Sequence, residues 1–366
     1  MDTASQITER QLIEQYLDAL RALPDVHPEP PHWEGVLSET DQRCDAQIDM
    51  VVAGKPFTLV IEAKKSVFPR DVHQVLGQLR RFTRDHSPAS TSNDRISIIV
   101  ADAISPGAKD LLRSERVGYY DRGGSLFLPA SGAYVYIDKP PPKTLAKSMR
   151  SLFSGRRAQV LHALLVRSRY WFNGKDVADQ AHVSQATASE VLTELERFEW
   201  VVSRGQGPGK ERHLKDPAAL LNAWVKQLES ARTPTLRRFY VPSLKADQLL
   251  EPIGRVFGDH KIEYEISYEA AAQCYAPFLS AISQIRCRLI PGPTIDAALS
   301  DLDARVVTEG ANFAVIEANS TGELLFREHL AGVWLASPIQ VYLDLLRGEG
   351  RAKEMAAHLR KQRIGF

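Results

Sequence analysis

Apolar residues recur along this chain at two spacings. Over residues 7–23 the spacing is helical, with Leu12, Tyr16, Leu17 and Leu20 on one face. Residues 24–31 read as extended loop. Two strand-like runs follow, AQIDMVV (46–52) and FTLVIEA (57–63), joined by Ala53-Gly54-Lys55-Pro56 as a turn. A second amphipathic helix is predicted over 71–83, burying Val72, Val75, Leu76, Leu79 and Phe82. Then come an apolar strand (96–100), a helix (106–114), a strand (117–120), a Gly123-Gly124 turn and a strand (125–128). The Ser/Asp-rich stretch 86–94 reads as a loop. The Pro-rich stretch 139–143 reads as a linker, closing a first domain at about residue 140.

The middle of the chain has a different rhythm. A short helix is predicted over 175–180, a turn at 181–183, and a second helix from Ser184, an N-cap residue, to about Phe198. Ala188, Val191, Leu192 and Leu195 give that helix a buried face. Its opposite face opens with Ser184, Gln185, Thr187 and Ser189, all short and polar. A strand (200–203), a Gly/Pro tip (Gly205, Gly207, Pro208, Gly209) and a basic return strand with Lys210 and Arg212 complete the layout of a winged helix-turn-helix over 147–232. In that motif the second helix enters the DNA major groove, so Ser184, Gln185, Thr187 and Ser189 are candidates for base contact. Arg204, Lys210 and Arg212 are candidates for phosphate.

From residue 235 to the end the pattern is again mixed. Helices are predicted over 245–257, 269–282, 338–346 and 351–363. Strands are predicted over 262–268, 285–290, 312–317 and 332–336. Ser337-Pro338 is a helix start, with Ser as N-cap and Pro in the first position. The fold class is therefore multidomain α/β.

Composition narrows the function. The chain has 366 residues, enough for two or three domains, and 44% apolar residues supply their cores. Net charge is only +1, yet residues 147–232 hold 14 Lys and Arg against 9 Asp and Glu, leaving the remainder at about −4. Positive charge thus concentrates where phosphate contacts would need it, which favours double-stranded DNA as partner over a protein-docking use of the same motif. The first twenty residues are charged and amphipathic, unlike a signal peptide. No apolar run approaches the ~18 residues of a membrane span. Three scattered cysteines with no CxxC speak against disulfides or a zinc knuckle, and the expectation is a cytoplasmic protein without membrane partners. Gly205–Lys210 lacks the spacing of a phosphate loop, and neither GxSxG nor HExxH occurs. His73 and His182 read as surface or core residues.

One constellation in the first domain carries possible chemistry. With 53–56 as the turn, paired positions on the two strands sum to 109 and Asp49 faces Val60. Alternation then places Asp49, Glu62 and Lys64 on one sheet face, whereas an odd-length loop would break that parity. Two carboxylates and a lysine in one place can hold Mg²⁺, with Asp49 and Glu62 as ligands, and polarise a water beside a phosphodiester. Gln78, or Gln74 one turn earlier, would complete the group, and Glu14 is a further candidate. No cofactor is required otherwise.

Asp49, the twelve residues that follow, Glu62-Ala63-Lys64 at the end of an apolar strand and a Gln-bearing helix together resemble the PD-(D/E)xK nuclease-like superfamily over roughly residues 8–130. Ile48 stands where that superfamily often has Pro. The resemblance implies a restriction-endonuclease-like α/β domain. ISYEAAA (266–272), ANFAVIE (311–317), ASPIQVYLDLL (336–346) and GRAKEMAAHLR (350–360) resemble the C-terminal domain of AbiEi-family antitoxins of type IV toxin–antitoxin systems, and IVADAISPGAKDLLRSERVGYYDRGGSLFL (99–128) is similar to the N-terminal part of such regulators. This implies a C-terminal α/β domain, repression of its own operon, and a toxin partner of nucleotidyltransferase type encoded nearby. Asp301 and Asp303 lie in a loop-like context and do not suggest a transferase. The winged helix is central rather than N-terminal, and the nuclease-like set is an addition to the simplest antitoxins. The reading is a DNA-binding regulator whose nuclease-like site is vestigial; the alternative is a Mg²⁺-dependent DNA nuclease using Asp49, Glu62 and Lys64, with the winged helix delivering DNA.

Overall fold

A computed structural model describes residues 8–33, 36–37, 42–52, 54–84, 94–130, 133–229, 231–242 and 245–366. The chain is multidomain α/β and divides into two compact units, residues 1–150 with 194–199, and residues 151–193 with 200–366. The segments expected as separate middle and C-terminal domains fall mainly into the second. No helix among the described residues is long and apolar enough to cross a membrane. All three cysteines are free, Cys44 and Cys287 being buried.

The first unit is built on a mixed sheet in the order Val26–Pro28, Ala46–Val52, Lys55–Val67, Asp94–Ile104, Gly118–Asp121, Leu126–Ala130, Ala133–Ile137. Lys55–Val67, Asp94–Ile104 and Gly118–Asp121 run parallel, and the outer pairs are antiparallel. The helix Glu9–Arg21 starts with a capping box, Thr8 receiving the Gln11 amide while Gln11 returns to Thr8. It buries Leu12, Ile13, Tyr16, Leu17 and Leu20 in one core with the sheet residues Ile48, Leu59, Ile61 and Ile98. A second core gathers Val72 and Val75 of Pro69–Arg84 and Ala108 and Leu112 of Pro106–Ser114 around Ile99, Ala101 and Tyr119. The long central strands carry side chains into both cores, as strands covered on two faces must.

The second unit holds two sheets. The smaller has the order Phe172–Asn173, Glu211–Leu214, Val201–Arg204 and accompanies helices Gly155–Val166, Gly174–Gln180, Pro217–Glu229 and the part of Gln185–Arg197 up to Thr193. The larger has the order Arg305–Val306, Arg237–Tyr240, Phe313–Glu317, Ile285–Leu289, Tyr264–Ser267, Val333–Leu335, Glu328–Leu330. Ile285–Leu289 and Phe313–Glu317 are parallel neighbours at its centre, and helices Tyr268–Tyr275, Pro338–Leu345 and Ala352–Leu359 pack on one another beside it. Ser337 caps Pro338–Leu345 by accepting the Gln340 amide at 3.1 Å, as the Ser-Pro pair predicts. The helix expected over 269–282 stops at Tyr275 because Ala276 precedes Pro277, and a residue before proline is pushed out of the helical region.

Candidate nucleic-acid interface and acidic cluster

Helix Gly174–Gln180 is started by Asn173, whose side chain accepts the Asp176 amide at 2.8 Å. The chain turns at His182, which has φ 51°, a left-handed conformation His tolerates better than most residues. Ser184 then caps Gln185–Arg197: its Oγ accepts the Thr187 amide at 3.1 Å and lies 3.0 Å from Thr187 Oγ1. Ala188, Val191, Leu192 and Leu195 are fully buried, which fixes the helix roll. Gln185, Ala186, Ser189, Glu190 and Thr193 are left on the exposed side. Of the four expected base-contact residues, Ser184 and Thr187 are therefore engaged in the cap. Gln185 and Ser189 have side chains with no hydrogen-bond partner among the described residues. Glu190 puts negative charge on the same face, so any attraction to phosphate must come from elsewhere.

The adjoining hairpin, Val201–Arg204 with Glu211–Leu214, carries the expected basic residues. The tip needs Gly205, with φ 73°, because a side chain there would meet the Gly209 carbonyl at 3.1 Å. Arg204 is exposed, lies over the Trp171 ring at 4.1 Å and donates to Glu211 at 2.8 Å. Lys210 is half-buried. Arg212 is not on the solvent side: strand alternation turns it inward with Leu214, and only 9% of it is exposed. It pairs with Phe172 across the sheet, so its expected phosphate contact is corrected to a packing role. Arg167, Arg169, Tyr170, Trp171, Lys175 and Lys215 are exposed instead. The signal for them was the basic–aromatic run RSRYW at 167–171, which leads into the Trp171 ring that carries Arg204.

The acidic group differs from expectation in register. Val52 pairs with Lys55, so the turn holds two residues, not four, and paired positions sum to 107. Parity survives, and Asp49, Glu62 and Lys64 share a face. Asp49, however, lies opposite Thr58, whose hydroxyl it accepts at 2.5 Å. Four residues of strand separate Thr58 from Glu62, about 13 Å at the usual rise. Asp49 and Glu62 thus cannot share one metal, and the expected ligand pair is corrected. The carboxylate beside Glu62 is Asp45, just beyond the last strand pair. Asp45 accepts the Ala63 amide at 2.7 Å, and Lys64 Nζ donates to Glu62 at 2.6 Å. Burial works to lower the Lys64 pKa, but the hydrogen bond and charge of Glu62, then the charges of Asp45 and Glu9, hold it above its ordinary value.

Gln78 lies on Pro69–Arg84 with its side chain outside the described residues; Gln74 and Glu14 are exposed. Among the described residues no group of three or more His, Cys, Asp and Glu could hold a metal ion. The donor set at Glu62 is two carboxylates, each already accepting a protein hydrogen bond. Asp301 pairs with His260 and Asp303 with Arg305.

One charged group escaped the sequence entirely. Arg288 is buried with Nη1 donating to Glu265 at 2.6 Å and Nη2 to Asp344 at 3.0 Å, while Ser267 Oγ and Gln340 also donate to Asp344. Burial pushes the Glu265 carboxyl pKa up, against the pull of Arg288. The signal was charge inside otherwise apolar strands, YEIS and IRCRL. No family model matches the chain, and no curated protein or solved structure matches it.

Proposed function

We propose that this chain is a DNA-binding transcriptional regulator, reading duplex DNA with the polar end of helix Gln185–Arg197 and holding the backbone with its hairpin, in the manner of a winged helix-turn-helix. The observation that carries the reading is a helix end whose exposed Gln185 and Ser189 side chains have no hydrogen-bond partner among the described residues, next to an exposed hairpin arginine stacked on Trp171. The resemblance to AbiEi antitoxins extends it to repression of its own operon and neutralisation of a toxin encoded nearby. The test is fluorescence anisotropy with duplex DNA from upstream of its own gene, across a salt series. Affinity should fall linearly on a log–log plot, and Arg204→Ala with Lys210→Ala should reduce the slope by about one unit per lost phosphate contact. A slope unchanged in the double variant sinks the hairpin's role; absence of DNA binding sinks the reading.

A second reading, a Mg²⁺-dependent nuclease on a restriction-endonuclease-like domain, rests on Asp45 standing beside Glu62 and Lys64. Mg²⁺ is commonly held by one or two carboxylates plus water. The Glu62–Lys64 bond and the Asp45–Ala63 bond favour a structural role, so plasmid incubated with Mg²⁺ or Mn²⁺ should remain uncut. Cutting that disappears in Asp45→Asn would promote this reading.

A further inference from the structure

A cavity of about 910 Å³ lies wholly in the second unit. That is at the upper end of the roughly 300–1,000 Å³ of small-molecule sites. Its walls are the start of helix Gly155–Val166, the end of helix Pro217–Glu229 and the segment after it, the loop 319–323, and helix Pro338–Leu345 with Arg347. Strands Ile285–Leu289 and Phe313–Glu317 are parallel neighbours, and Arg288 and Glu317 bring their carboxyl ends to it. In open α/β sheets the crevice beyond the carboxyl ends of the strands is the preferred place for a ligand.

The lining chemistry selects the ligand. Five arginines (156, 232, 237, 288 and 347) face three carboxylates, Glu317, Glu323 and Asp344. Those three are all engaged: Glu317 with Arg237, Asp344 with Arg288, and Glu323 accepting the Asn319 amide and side chain. Arg156, Arg232 and Arg347 make no ion pair among the described residues. They come from three separate segments, so they converge on the cavity through the fold and not through local sequence. Gly155 and Arg156 are also the first residues of a twelve-residue helix, whose amino end favours anions. Trp224 and Phe153 supply apolar wall.

We infer that this cavity binds a small phosphate-bearing polyanion, held by Arg156, Arg232 and Arg347. Guanidinium groups match phosphate oxygens two at a time, and three from different directions match a di- or triphosphate better than a single carboxylate. Helix Gly155–Val166 leads into the helix-turn-helix, so occupancy should alter DNA affinity; that coupling rests on the DNA-binding reading, whereas ligand binding does not.

Titration calorimetry on the full chain without DNA, using sodium pyrophosphate, ATP and citrate as probes, tests the site. Pyrophosphate and ATP should bind, citrate at least tenfold more weakly, and Arg156→Ala/Arg347→Ala should weaken both phosphates at least tenfold. Arg232→Ala alone is an independent check should the double variant melt early, and Arg238→Ala, an exposed arginine outside the cavity, should change nothing. Absence of heat with both phosphates, equal binding of citrate, or equal binding by Arg156→Ala/Arg347→Ala and Arg232→Ala overturns the site. Anisotropy with and without ATP then tests the coupling: phosphate binding with unchanged DNA affinity overturns the coupling alone.

Discussion

The polar end of helix Gln185–Arg197 and the acidic group around Glu62 are both half-solvated surfaces of hydrogen-bonding side chains, yet they use those groups differently. At the helix end Ser184 and Thr187 are engaged in the cap, and the Gln185 and Ser189 side chains have no hydrogen-bond partner among the described residues. On the hairpin each of the three carboxylates accepts a hydrogen bond: Asp45 from the Ala63 amide, Asp49 from Thr58, Glu62 from Lys64. A polar group satisfied inside its own chain stabilises that chain and has little left for a ligand. An unsatisfied exposed one costs the fold almost nothing, because water serves it, and stays available. The difference separates a surface suited to recognition from one suited to holding a hairpin together.

That contrast can be pressed hardest where paired charges are most deeply buried. Arg288→Ala leaves Glu265 and Asp344 buried without their cation and should destabilise the protein by about 3–5 kcal/mol, read from denaturant midpoints. A loss below about 1 kcal/mol would mean the engagement counts for little.

Next in size is His162, buried, with Nε2 2.5 Å from Ser337 Oγ. Burial, then the charge of Arg288, lowers its pKa to about 4 from 6.5. The unfolded chain therefore binds a proton between pH 6.5 and 4 that the folded chain refuses, and stability should fall as pH falls through that window, on the order of 3 kcal/mol in all. His162→Gln should flatten the slope there; an unchanged pH profile would remove His162 from the account.

Asp45→Ala should cost about 1–3 kcal/mol, since it orphans a part-buried amide, and Asp49→Ala about 0.5–1.5 kcal/mol, since Thr58 can turn to water. Equal effects would blur the distinction drawn between them. The smallest stability effect belongs to the helix end. Gln185→Ala should leave thermal unfolding unchanged while lowering discrimination between DNA sites by about 1–3 kcal/mol. Undiminished discrimination would show that another element reads the bases.

What could be read in advance follows the range of the forces involved. Helix Pro106–Ser114 was legible because Ser105 and Pro106 end the preceding strand and start the helix locally. The buried face of Gln185–Arg197 was legible for the same reason, its spacing being a property of one segment. The hairpin was legible in existence and parity but not in length or register, because turn length depends on what Lys55 and Pro56 do when paired. Strand Lys55–Val67 also ran past its expected end, extended by parallel pairing with Asp94–Ile104. The edge strands Val26–Pro28, Arg305–Val306 and Glu328–Leu330 are too short for any period to declare them. The Arg288 group joins residues 23 and 56 positions apart, and the cavity arginines converge only through the fold.

The contact between His162 and Ser337 spans 175 positions. On a ribosome adding about 5–20 residues per second, His162 in helix Gly155–Val166 waits roughly 10–35 s before its hydrogen-bond partner is even synthesised. For that interval its imidazole has neither Ser337 nor the Phe326 ring, and its apolar face lacks helix Pro338–Leu345. This helix is thus made early but buried late, and an emerging chain halted before residue 337 would display helices Gly155–Val166 and Gln185–Arg197 on an unfinished body.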